Sequence, residues 1–189
     1  PILMARKNVM HGQRASDCQL MGTYPYYPDF TQSKVMAGRF LNEFEENNRV
    51  SSCVITLELA EQLFPGLNPL EQQVVMRGFE TKVVFQVVGI LQERADSEKL
   101  PQAKDALGRT ITANVYIPLS TFKAFYGTKN VDLSPGMTKV ERVDLSEIRV
   151  EFGSVEEVIP SLPRIRDALD KVRSEDKIDY EIRVPLDEL

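Results

Sequence analysis

The spacing of hydrophobic and polar positions changes several times along the chain, and each change marks an element. Residues 3–10 (LMARKNVM) and 14–21 (RASDCQLM) are extended in pattern and flank His11-Gly12-Gln13, which predicts a hairpin. Residues 22–38 (GTYPYYPDFTQSKVMAG) lose that pattern. Each X-Pro pair disfavours helix before it, so this stretch predicts an ordered aromatic loop or a single turn. Residues 50–56 (VSSCVIT) then read as a strand. Residues 57–64 (LELAEQLF) place Leu57, Ala60, Leu63 and Phe64 on one face of a short helix, with Thr56 as N-cap and Pro65-Gly66 as the stop. The preceding acids, Glu43, Glu45 and Glu46, read as a solvated acidic turn. A paired-carboxylate acid/base site there would need a neighbour that raises one pKa, and the sequence offers none.

Residues 72–78 (QQVVMRG) and 79–91 (FETKVVFQVVGIL) predict two strands meeting at Gly78. Val83, Phe85 and Val87 fall on one face of the second, and Val84, Val88 and Ile90 on the other, so that strand is expected to be central and covered on both sides. Residues 92–113 are polar and mixed in charge, the pattern of a mobile flap or partner-contact loop. Residues 114–118 (NVYIP) return to strand, and 119–127 (LSTFKAFYG) form a short helix ended by Gly127. Residues 128–142 read as a polar connection through Pro135-Gly136. Beyond it come a strand at 147–152 (EIRVEF), a Ser154-x-x-Glu157 capping box and a helix with the stripe Leu162, Ile165, Leu169 and Val172. Pro160 and Pro163 argue for a helix that restarts near Ser161, and 180–186 (YEIRVPL) closes the unit as a strand. Strand, helix, strand makes this end an α+β unit.

Composition narrows the function. The chain has 189 residues, 42% of them hydrophobic, and a formal charge of −5, which argues against a broad nucleic-acid surface. No apolar run reaches the roughly 20 residues of a membrane span. Cys18 and Cys53 are the only cysteines and His11 the only histidine, without a CxxC, so zinc is disfavoured. The two thiols read either as small buried side chains or as a disulfide, which requires an oxidising compartment. His11 has no nucleophile and acid in a catalytic pattern, and no glycine-rich phosphate loop is present. The sequence therefore predicts no catalytic residue, metal site or cofactor.

One ordered set of residues carries a resemblance. Gly38-Arg39-Phe40 leads to a strand and helix ending in Leu63-Phe64, then Asn68-Pro69-Leu70, then Val87-Val88-Gly89-Ile90, then Tyr116-Ile117-Pro118-Leu119-Ser120-Thr121. In this order, over about residues 20–172, the chain resembles the periplasmic core domain of MacB-type ABC transporter permeases. It departs after Pro69-Leu70, where that family usually has Gly and this chain has Glu71. The resemblance implies structural roles for Gly38, Arg39, Phe40, Phe64, Pro69, Gly89 and Pro118. It implies an α+β fold: a porter-like βαβ subdomain (1–22 with 143–189) and an inserted, mostly β, sabre-like subdomain (23–142). The strand-helix unit that the family places before the equivalent of residue 1 would lie outside this chain. It further implies an extracytoplasmic domain of an inner-membrane permease, without catalysis of its own, that transmits ATP-driven motion in export or lipoprotein release. Its partners would be a cytoplasmic ABC ATPase, a periplasmic adaptor and a second permease in a homo- or heterodimer, with no nucleic acid. Arg94, Lys99, Lys104, Arg109, Lys129 and Lys139 are the candidate partner-contact residues. The alternative reading is a freestanding module that holds a small ligand with the aromatic loop 24–30.

Overall fold

The computed structural model describes residues 1–77, 82–93, 111–127, 129–134, 137–142, 145–172 and 180–184. Contacts divide the chain into a unit of residues 1–149 and a second of residues 150–189. The first opens with strands β1 (Leu3–His11) and β2 (Arg14–Thr23), antiparallel from Leu3↔Gly22 to His11↔Arg14. Gly12 turns the hairpin at φ +57°, where glycine carries no steric cost. There follow α1 (Tyr27–Thr31), β3 (Lys34–Gly38), α2 (Glu43–Asn48), β4 (Ser52–Thr56), α3 (Leu57–Leu63), β5 (Gln73–Arg77), β6 (Lys82–Gln92), β7 (Asn114–Pro118) and α4 (Leu119–Tyr126).

The strand pairings close on themselves. β1 pairs with β2, β2 with β7, β7 with β4, β4 with β6, β6 with β5 and β5 with β1, a ring of six strands. Two of these pairings are parallel, β2–β7 and β4–β6. β6 makes closure possible through its length: residues 82–86 serve β5, while residues further along serve β4 and the branch strand β3. Its register against β4 slips between Cys53↔Val87 and Val54↔Gly89, a bulge that bends the strand.

One hydrophobic cluster draws on all six ring strands and is therefore the interior. It contains Val9, Cys18, Leu20, Cys53, Ile55, Val74, Met76, Phe85, Val87, Val115 and Ile117, together with Leu59 and Leu63 of α3 and Leu119 and Phe122 of α4. The period-2 alternation of Cys18/Leu20, Cys53/Ile55 and Val115/Ile117 aims these side chains inward. A second cluster lies on the opposite face, where Met21, Val54, Leu91 and Tyr116 meet Tyr27, Phe40 and Leu41. Cover on that face is partial along β6: Val84 is 46% exposed, so the strand is central but not buried on both sides over its whole length. β5 and β4 pair with its edges and leave the outer face of its first half to solvent.

Several elements differ from expectation. Residues 129–142 hold a hairpin, β8 (Lys129–Ser134) with β9 (Met137–Arg142), instead of a polar connection. Residues 147–152 are not a strand: a single bridge joins Glu147 to Ile2, and Ile148 and Val150 stand more than half exposed. A strand needs a neighbour to bond along its length, and for 147–149 the described residues show only that one bridge. β2 lies between β1 and β7 in the ring.

In the second unit a single 3-10 turn, Val155–Glu157, runs into α5 (Val158–Val172) without a break at the prolines. Pro160 falls in the first turn, where no intrahelical N–H is required; Pro163 costs one interior bond. Leu162, Ile165 and Leu169 are half-buried while Arg164, Arg166, Asp167, Asp170 and Lys171 are exposed, so the helical stripe outweighs the prolines. Residues 180–184 are irregular instead of a strand.

Candidate functional site

Gly38, Arg39, Leu70, Val88 and Gly89 of the ordered pattern meet at one junction. Gly38 ends β3 at φ +68°, and a Cβ there would lie 2.3 Å from the Val88 carbonyl oxygen and 2.8 Å from Leu70 Cδ2. A Cβ on Gly89 would lie 2.0 Å from the Arg39 carbonyl oxygen. The two glycines let two main chains cross at contact distance, and the Arg39 N–H donates to the Val88 carbonyl at 3.0 Å. Beyond the crossing, Phe40 turns into the second core, its ring 6.2 Å from Tyr27 and 5.8 Å from Tyr116.

Arg39 itself turns toward α2. Its guanidinium grips Glu45 with two bonds, Nη1–Oε2 at 2.8 Å and Nη2–Oε1 at 2.9 Å, and Nη1 also donates to the Phe40 carbonyl at 3.0 Å. Glu45 Oε2 accepts the Asn42 N–H, and Asn42 Oδ1 accepts the Glu45 N–H, each at 2.9 Å. That reciprocal pair is a capping box. Burial alone would push the Glu45 carboxyl up; the bonds from Arg39 and the Asn42 backbone outweigh it and hold the group below the ordinary carboxylate range. The Glu45 side chain is 5% exposed, and the Arg39 side chain 51%.

The acidic stretch is therefore a capped helix and an ion-pair anchor, not a solvated turn. The signal was present: Asn42-Glu43-Phe44-Glu45 has N-cap-to-N3 spacing, hidden by the neighbouring acids that made the stretch look merely charged. The Glu46 carboxylate accepts the Ser120 N–H at 3.1 and 3.2 Å, and the Ser120 hydroxyl bonds the Glu46 carbonyl. The Thr121 hydroxyl donates to the Val50 carbonyl at 3.1 Å. Pro118 precedes α4 without a side chain able to cap it, so α2 supplies the cap from a distance.

Glu71 adopts φ +65°, the left-handed region that suits the glycine usual at this position, and its N–H donates to the Val87 carbonyl at 2.8 Å. We expect Glu71→Gly to leave stability unchanged or to raise it by up to about 1 kcal/mol, since relief of strain outweighs the added freedom of the unfolded chain. Urea denaturation measures this, and a clear loss would contradict it. Phe64 is buried and packs on His11, ring centroids 4.3 Å apart, and His11 Nδ1 lies 2.8 Å from the Gln73 carbonyl oxygen. Thr56 sits at the N-cap position of α3 but spends its hydroxyl elsewhere, accepting the Asn114 N–H at 3.1 Å.

Arg94, Lys99, Lys104 and Arg109 lie outside the described residues; Lys129 and Lys139 lie on β8 and β9, opposite Arg142 and Asp132 in register. In the aromatic loop Tyr27 is buried, Tyr24 is half-buried against the interior cluster, and Tyr26 and Phe30 are 46% and 40% exposed. Tyr24 and Tyr26 stack on each other at 5.5 Å. Among the described residues no group of three or more His, Cys, Asp or Glu is placed to hold a metal.

Cys18 and Cys53 are free, fully buried thiols. They lie on β2 and β4 with β7 between them. Set against β7, Cys18 falls beside residue 113 and Cys53 beside residue 117, so the two are separated both by a strand and by several residues along it, beyond the reach of a disulfide. Burial, reinforced by the Asp17 carboxylate, pushes the Cys18 thiol up to about 12, and burial raises Cys53 further. Both thiols are thus expected to react with an aromatic disulfide reagent only as fast as the barrel opens, with full reaction in denaturant; prompt native labelling of either would contradict the packing.

Two solved structures resemble this chain in fold. The periplasmic region of MacB from Actinobacillus actinomycetemcomitans matches with a TM-score of 0.58 and 18% identity, over 90% of this chain and 66% of that one. The extracellular domain of the noncanonic ABC-type transporter YknZ from Gram-positive bacteria matches at 0.56 and 17%, over 89% and 74%. The chain belongs to the MacB-like periplasmic core domain family, whose model matches residues 1–168. It is 22% identical to a macrolide export ATP-binding/permease protein MacB of Syntrophobacter fumaroxidans over 84% of its length, and 27% identical to one of Bdellovibrio bacteriovorus over 60%. It spans only 25% and 17% of those two proteins. No helix among the described residues is long and apolar enough to cross a membrane.

Proposed function

We propose that this domain acts as a stiff extracytoplasmic element of an ABC transporter permease, carrying motion driven by a cytoplasmic ATPase to partners outside the membrane. The observation that carries the reading is the closed ring of six strands, tied by the Gly38–Arg39–Glu45 junction to α2 and through Glu46 to α4. A ring has no free edge to fray, and packed elements joined by buried bonds move as a body instead of deforming. Relay of this kind asks for no bond-making group. The partners are a periplasmic adaptor and a second permease subunit, and the work is export or lipoprotein release.

The test uses the full-length permease with its ATPase in proteoliposomes. Excising residues 1–189 is expected to abolish transport while basal ATP hydrolysis persists. The Arg39→Ala permease, inserted and folded at the test temperature, is expected to lower transport per ATP hydrolysed. Transport that survives excision overturns the reading.

A further inference from the structure

We draw no further inference here: the strongest candidate, the surface cluster of Tyr24, Tyr26 and Phe30 on the loop and single turn after β2, packs its rings on one another, parallel at 5.5 Å and tilted at 5.6 Å, and nothing in the structure shows what covers its exposed edges.

Discussion

Gly89→Ala is expected to cost roughly 3–5 kcal/mol, above the usual range for an added core methyl, because its Cβ would stand 2.0 Å from a backbone oxygen. A flexible side chain could rotate away from such a contact. The Arg39 carbonyl cannot, since the adjacent peptide N–H is bonded to Val88 and the Arg39 side chain is clamped to Glu45. Relief would have to come from separating the crossing chains, and with them β3 from β6. Gly66→Ala is the control. Gly66 also has positive φ, +74°, but a Cβ there meets nothing within 4 Å, so only the conformational cost of about 1 kcal/mol applies. Urea denaturation of the two variants side by side decides the matter, and equal losses would show that the close crossing does not constrain the fold. If Gly89→Ala fails to fold, recovery of soluble Gly66→Ala under the same conditions makes the same distinction.

The second large effect is at Glu45. Glu45→Ala removes the two bonds to Arg39 and half of the capping box, and leaves the Asn42 N–H without its acceptor; the sum is expected near 2–3 kcal/mol. Arg39 is half exposed, so water takes over much of its charge and the loss stays below that of a buried, orphaned ion. The pH dependence has a definite sign. The folded-state carboxyl titrates below its unfolded value, so its contribution is fully present above the unfolded pKa and is lost as pH falls through the lower folded one. The stability gap between the natural chain and Glu45→Gln should accordingly be open at neutral pH and shrink in acid, below about pH 4.5. A gap that stays constant from pH 7 to pH 3 would assign the effect to shape and hydrogen bonding alone. Salt provides a contrast: the exposed Arg6–Asp17 pair should weaken in 1 M NaCl more than the Arg39–Glu45 pair.

Local chemistry made most of the first unit legible from its sequence. The β1–β2 hairpin follows from two alternating runs around His11-Gly12-Gln13, and α3 and α4 from short apolar stripes with stops at Pro65 and Gly127. The ordered pattern of Gly38, Arg39, Phe40, Gly89 and Pro118 pointed to the family although no single piece is specific. Where sequence pattern and structure part, two local signals of similar size compete. Pro160 and Pro163 argue for a break that the helical stripe overrides; Glu43, Glu45 and Glu46 mask the Asn42 cap; and EIRVEF has the pattern of a strand without a partner strand. The tetrapeptide EIRV occurs at both 147–150 and 181–184, and in each copy the Glu and Arg side chains form an ion pair, at 2.6 and 2.8 Å.

The sequence by itself determined which segments are β-rich, which turns need glycine, and, through the ordered pattern, which family the chain belongs to. Only the tertiary structure decided that six strands close into a ring and that Gly38 and Gly89 face each other's main chains from 51 positions apart. It also decided that Arg39 meets Glu45 and that Glu46 caps the helix at Ser120. Propensity and periodicity act over a few residues. Ring closure and chain crossings depend on contacts between segments far apart in sequence, whose energy appears only once the intervening chain has been ordered.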